Sequence, residues 1–361
     1  MIVSLSYFES IILYIFVFAF SALASKVRVE NKFFKIVIIS LLPFIISGLR
    51  YNVGWDYGSY ALGFELFDTN TSIINIFREY TFGDSIGLKI IQLITKSLNS
   101  KFLYFGITSA LCFIPTFTYL FNEWNDEKNI LPLSVFVTGF SLFFTGLSAI
   151  KQGIAISFCL YSLTYVFQRR PLRFIICVFI AFMFHASALV FVPVYFFWSN
   201  TRKIEGWKKF CIIASAILVV IFIQELLKIF GGVRFSDYGT EIVLSNNYLF
   251  YLMAFWLIIF LFFRKRLVAF DERNELLIIL YGIAVILMVV GFYNAFTKRI
   301  AYYFDVVQIV LIPQLTLIFS KKSRIIVSIM ICMYFVLICM ILNSGTSENM
   351  APIPYSFLFG E

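Results

Sequence analysis

A single histidine, His185, stands among 361 residues, which excludes a metal centre built on several imidazoles. The six cysteines, Cys112, Cys159, Cys177, Cys211, Cys332 and Cys339, form no Cys-x-x-Cys pair and all fall in apolar stretches. Neither a zinc site nor a disulfide framework is indicated. No P-loop, Rossmann fingerprint, His-Glu-x-x-His or Gly-x-Ser-x-Gly motif occurs, so an ATP-driven pump or a serine hydrolase has no support. No linker rich in Pro, Gly or Ser, no low-complexity run and no clear internal repeat divides the chain, and residues 1–361 read as one domain. Charge is scarce as well. Only 14% of the residues are charged and 61% are hydrophobic, with a mean hydropathy of +0.91. A soluble domain of this length cannot bury so much apolar surface.

What remains is a polytopic all-α membrane protein. Backbone groups in lipid must pair internally, which allows helices or closed barrels; barrel strands would alternate, whereas these apolar runs are continuous. The segments lie near 3–24, 33–49, 102–121, 130–147, 149–168, 171–200, 207–230, 246–264, 275–294, 299–320 and 324–343. The first ends in Ala22-Leu23-Ala24, which resembles a cleavage site, but no Lys or Arg precedes it and it carries Glu9, so it reads as an uncleaved helix. The net charge of +9 does not point to nucleic acid, because most Lys and Arg cluster between apolar segments, where they act as topology determinants.

The sixth segment is too long for one pass and has basic flanks on both sides. It is expected to be a hairpin of two short helices with its apex at His185, each arm about 21 Å long. Twelve crossings then alternate. The basic linkers at 25–32, 168–173, 201–209, 264–274 and 321–324 fall in the cytoplasm, with 122–129, and both termini face outward. Residues 86–98 are expected to form a short amphipathic helix on the outer face, with Lys89 and Lys96 to one side and Ile90, Leu93 and Ile94 toward apolar surroundings. Residues 50–100 thus form an outward loop and short-helix region.

This topology puts Arg50, Asp56, Lys151, His185, Arg234, Asp237, Lys298 and Arg299 on the outward side, where the positive-inside bias does not place cations. Ionisable groups in such positions are functional candidates. Arg50 can fork onto a phosphate, while Trp55, Tyr57 and Tyr60 can stack on sugars. An aromatic belt with a snorkelling arginine accounts for the rings but not for Asp56, which is expected to pair with Arg50. Lys151 opens a helix, against the helix dipole, a cost that makes sense if an anion binds there; Gln152 follows it. An imidazole with a pKa near ~6.5 at His185 can take a proton at working pH. Lys298, Tyr302 and Asp305 share one helical face, Arg299 and Tyr303 another, and Asp305 is expected to find its partner on a neighbouring helix. Arg234 and Asp237 lie in a loop that reads equally as a lid or as ordinary solvated chain.

At these residues the chain resembles the EpsG family of Wzy-type polysaccharide polymerases. The matching elements are Arg50 with Gly54-Trp55-Asp56-Tyr57 and Tyr60, Lys151-Gln152 where the family has Arg-Gln, His185-Ala186-Ser187-Ala188, and Arg299 with Tyr302-Tyr303. Lys151 departs from the pattern: it keeps the charge but loses the planar fork. The resemblance implies a GT-C-like membrane glycosyltransferase with an outward-facing active site. Such an enzyme joins undecaprenyl-diphosphate-linked oligosaccharides in a bacterial inner membrane, without a cofactor or an obligatory metal. Its expected partners are those lipid-linked glycans, membrane lipid and a chain-length regulator protein, and not nucleic acid. Arg50, Lys151, Arg299 and Lys298 would hold the diphosphate, and His185 or Asp56 would take the acceptor proton. Trp55, Tyr57, Tyr60, Gln152, Arg234, Tyr302, Tyr303 and Asp305 would support the glycan. A flippase for the same lipids, an outer-face ligase and an acyltransferase using His185 are the alternative readings.

Overall fold

A computed structural model describes residues 1–81, 83–124, 130–198, 248–292, 295–346 and 349–359. The expected segment at 207–230, with Cys211, Arg234 and Asp237, lies outside the described residues. Elsewhere the apolar runs form helices within a few residues of their expected limits. These are α1 (Tyr7–Ala24), α2 (Lys32–Gly48), α3 (Tyr57–Glu65), α4 (Ile73–Arg78), α5 (Ile86–Ser97), α6 (Lys101–Glu123), α7 (Leu131–Thr138), α8 (Phe144–Ser148), α9 (Ile150–Phe167), α10 (Pro171–Phe184) and α11 (Val194–Phe197). After the undescribed stretch come α12 (Tyr248–Phe262), α13 (Arg264–Phe270), α14 (Asn274–Val290), α15 (Ala295–Asp305), α16 (Gln308–Leu315) and α17 (Lys321–Asn343). Among the described residues, five helices are long and apolar enough to cross a membrane: α1, α6, Leu131–Ser148, α9 and α17. A sixth is counted if Thr297–Asp305 and Gln308–Ile318, which meet at a bend of 47°, form one span.

The helix ends are set by short polar side chains, because free N–H groups at a helix start need an acceptor. Ser6 and Glu9 cap α1 reciprocally, and Asn31 caps α2 by accepting from the Phe33 N–H at 2.9 Å. Ser100 accepts from the Leu103 N–H to open α6, and Pro171 opens α10, where no N–H is required.

Contacts between helix ends sort the linkers into two sets. Arg273 donates to the Glu123 carboxylate at 2.7 Å, lies over the Trp124 ring at 4.1 Å and over Phe167 at 5.6 Å. Lys35 lies over Phe121 at 5.0 Å, and Asn274 donates to Gln314 at 2.5 Å. The linkers after α1, α6, α9, α12 and α16 therefore share one end of the bundle. The opposite end gathers both termini. Strand β1 (Ile2–Ser4) pairs antiparallel with β2 (Ser356–Leu358), and Leu358 N–H donates to Leu49 O, Tyr51 N–H to Ser356 O and Gly54 N–H to Met350 O. The C-terminal segment is thus laced across the end of α2.

At His185 the backbone turns extended (φ −152°, ψ 120°) and α10 ends. The chain then runs back through a 3-10 turn, Ala186–Phe191, into α11. Phe174 meets Tyr195 at 5.2 Å and Phe167 meets Trp198 at 5.2 Å, so the returning arm regains the level at which α10 began. Helix α5 has only 12 residues and is not among the membrane-length helices. A further face is buried in the protein. Leu88, Ile91, Gln92 and Thr95 turn into the protein, Ile90 and Leu93 are half-buried, and Ile94 is exposed. The reason is that α6 and α10 flank α5 and take up that face.

Single-cysteine labelling checks this arrangement. With a membrane-impermeant maleimide, T81C and S97C, at the two ends of α5, should react from one side of the membrane and E30C from the other. Reaction of T81C and S97C from opposite sides would show that α5 crosses.

Candidate active site

The outward-expected charged residues do not all meet in one basin. Lys151, Arg299 and His185 do. Gln152, next to Lys151 at the start of α9, donates from Nε2 to the Arg299 carbonyl at 2.6 Å and so locks α15 to α9. Tyr60 on α3 packs against the backbone of Lys151, within the fields of Asp56, Arg50 and Arg299. His185 lies between the two hairpin arms, outside both helices. Burial first, then the positive charges of Lys151 and Arg299, push its pKa down to about 4. That lies below the ~6.5 of an unperturbed imidazole. Desolvation and two like charges both penalise the imidazolium, so the ring is neutral at pH 7.

The imidazole is held from behind. Its Nδ1 is 2.7 Å from Ser187 Oγ, and that hydroxyl donates to Tyr303 Oη at 3.1 Å. Tyr303 is fully buried. Ser85 at the start of α5 donates to the Phe184 carbonyl at 2.6 Å, which anchors the hairpin apex. The chain between His185 and Tyr303 is therefore fixed on one side, and Nε2 is left for whatever enters. Ser187 and Tyr303 were visible in sequence as motif residues, but their positioning role was not.

Arg50 is placed differently. It is only 2% exposed, and its Nη1 donates to Leu147 O at 2.7 Å and Val53 O at 3.2 Å. The guanidinium stacks over Phe105 at 4.4 Å and Tyr57 at 5.6 Å. The expected Arg50–Asp56 pair is not formed: Asp56 is exposed, and Arg50 has turned inward to serve a carbonyl. The fork expected to grip a phosphate beside Lys151 is instead built into the wall behind it. Tyr57 is buried with it, whereas Trp55, 43% exposed, and Asp56 stay at the rim.

Lys298 is half-buried, its Cγ folded against Gly291, and Arg299 is exposed. Tyr302 and Asp305 lie deeper, on a cavity of about 370 Å³ that reaches up to Trp55 and Ser148. Asp305 finds its partner not on a neighbouring helix but across the bend of its own segment, where Gln308 Nε2 donates to it at 2.8 Å. The bend between α15 and α16 brings Gln308 within reach. Among the described residues no group of three or more His, Cys, Asp or Glu side chains is arranged to hold a metal ion.

This arrangement brings two cations within electrostatic reach of a neutral imidazole. It is suited to an anion next to a group that gives up a proton. A model of the EpsG family matches residues 33–357, and the chain belongs to that family, a membrane family connected with polysaccharide biosynthesis. No match is found among curated proteins or among solved structures.

Gly54 holds the opening to its wall. Its φ is +110°, and a Cβ there would run into the Leu147 carbonyl that Arg50 serves. Gly54→Ala should destabilise the protein by about 2 kcal/mol or more, read as a fall in thermal midpoint and monodisperse yield in detergent. Gly63→Ala, on a helix where a Cβ would meet only the Gln92 amide in ordinary contact at 3.4 Å, should not.

Proposed function

We propose that this EpsG-family chain is a polysaccharide polymerase. It would transfer a glycan from undecaprenyl diphosphate onto a lipid-linked repeat unit at the outer face of a bacterial inner membrane. The observation that carries the reading is the nearness of Lys151 and Arg299 to His185, with the Gln152–Arg299 bond holding their helices together. A GT-C-like architecture of twelve crossings, with the basic linker end in the cytoplasm, belongs to the same proposal.

The chemistry follows from the donor. A sugar diphosphate is already activated. The acceptor hydroxyl oxygen forms a bond to the anomeric carbon, the bond from that carbon to the phosphate oxygen breaks, and the diphosphate leaves with the electron pair. Lys151 and Arg299, with Lys298 beside them, hold the diphosphate and stabilise the charge that grows on it. His185, neutral at pH 7, accepts the hydroxyl proton. The incoming diphosphate offsets the two cations that depress the ring, so bound donor raises its basicity when a base is needed. Trp55 and Asp56 at the rim suit a sugar face and a sugar hydroxyl.

A deletion strain should cap its lipid with a single repeat unit. A ligase defect would leave full-length chains on the carrier, and a flippase defect would leave neither product. Lys151→Ala, Arg299→Ala and His185→Ala should each cut elongation on the order of 100-fold while membrane insertion is unchanged. Wild-type glycan ladders from all three would refute the roles assigned.

The pH dependence has a definite sign. The base form of His185 persists until the pH falls through about 4. The acid limb of kcat/KM, which reports the free enzyme, should therefore lie well below the ~6.5 of an ordinary imidazole, and the limb of kcat should lie higher. An acid limb of kcat/KM at or above ~6.5 would show that the ring is not in this field.

A further inference from the structure

A second cavity, of about 240 Å³, has Arg50 in its wall and does not include Lys151. It is lined by the end of α2 (Gly48, Leu49), by Arg50 and Tyr57, and by the start of α6, where Asn99, Ser100 and Lys101 face Leu358. Arg50, 2% exposed, lines this cavity, and of its three side-chain nitrogens only Nη1 has a hydrogen-bond partner. Stacking on Phe105 and Tyr57 fixes the plane of the guanidinium. No carboxylate pairs with Arg50 among the described residues. A buried cation with an unsatisfied donor is costly unless an anion is brought to it.

The other wall supplies more of the same field. Helix α6 has 23 residues, and its positive end faces the cavity. Ser100 caps the Leu103 N–H, and the amides of Lys101 and Phe102 come before any intrahelical acceptor. Lys101 is bridged by Glu65, which also meets Lys96 at 3.3 Å. Glu65 is 49% exposed at its side chain, so Lys101 shares with Lys96 a half-solvated carboxylate that does not itself line the cavity. None of these residues belongs to the Lys151–Arg299–His185 opening.

The geometry points to this cavity as the seat of a second phosphate-class anion, the diphosphate headgroup of the other lipid-linked substrate. Arg50, Lys101 and the first turn of α6 are its ligands, and Glu65 is the carboxylate that it displaces. The assignment rests on the polymerase reading, in which donor and acceptor both carry a lipid diphosphate. Two separate cationic seats then hold two carriers at once, one at the reacting end and one remote from it.

The test uses the full chain in zwitterionic-lipid nanodiscs, titrated calorimetrically with inorganic pyrophosphate. Two ions should bind per chain. Lys101→Gln should weaken one of them roughly tenfold, Lys101→Arg should retain it, and Glu65→Gln should tighten it. Lys151→Gln should affect only the other. Insensitivity to both Lys101→Gln and Glu65→Gln overturns the inference, and Glu65→Gln, which removes no packing, keeps it open to refutation if Lys101→Gln fails to fold. Sensitivity to these two variants with none to Lys151→Gln or Arg299→Gln would leave this seat standing and sink the assigned active site. In a second arm, nanodiscs doped with polyprenyl diphosphate should lose pyrophosphate binding at the Lys101 seat. Retained binding there would show a free phosphate site and overturn the lipid assignment.

Discussion

A backbone carbonyl freed inside apolar surroundings must find a donor, and this constraint shapes the end of the molecule where the two chain termini meet. The helix that runs from Leu131 to Ser148 stops at Ala149 so that a new helix can start at Ile150. The break gives Lys151 a place in a first turn, but it strips Leu147 O of its intrahelical partner. Water would serve that carbonyl on an exposed loop; here Arg50 does so, from 2.7 Å. Gly54 then has to lie flat against the same peptide. The inward turn of Arg50 is a consequence of the helix break, and so is the placement of the loop that carries Trp55 and Asp56.

The position of Arg50 divides the cations into two groups, and the division suits the chemistry better than a single basin. Four positive groups crowded into one low-dielectric opening would repel one another and would drive the histidine pKa lower still. With Arg50 turned onto the Leu147 carbonyl, Lys151 and Arg299 are the cations close enough to depress His185. The hydrogen bond from Gln152 to the Arg299 carbonyl sets that distance through the backbone. It works irrespective of how the two flexible cationic side chains are disposed.

Much of the fold was legible because lipid simplifies the code. Continuous apolar runs can only be helices, and basic linkers mark one end. The contacts of Arg273 with Glu123, Trp124 and Phe167 gather linkers that the charge pattern alone had assigned to one side. The hairpin apex could be read from the length of the 171–200 run and its basic flanks. Partnerships were not legible. Sequence spacing puts Asp56 six residues from Arg50 and suggests a pair, yet Arg50 is claimed by a carbonyl 97 residues away. Asp305 likewise is met by Gln308 across a bend that no proline or glycine announces. A period of 3.6 predicts faces, but it does not say where a helix will break or which orphan group will then take a nearby side chain. Lys101 went unnoticed because a lysine at the start of a membrane helix looks like an interfacial anchor; the signal lay in Ser100 before it and in the arginine that faces it.

The C-terminal segment closes the construction. Residues 350–358 bond to Leu5, Tyr51, Gly54 and Leu49, and Tyr14 donates to Pro352 O at 2.9 Å. Apart from the Tyr14 hydroxyl, these donors and acceptors are backbone groups just outside α1 and α2. A two-stranded ribbon between the chain ends has little stability of its own. Here its polar edges are met by the loop at 50–54, so the loop and the ribbon order one another. Leu358 lies on the wall of the Arg50–Lys101 cavity, while Met350 sits under Gly58 at the start of α3. A single strap therefore touches both the wall of that cavity and the start of α3. Any shift in its register would move the peptide beside Arg50 and the helix that carries Tyr60 together.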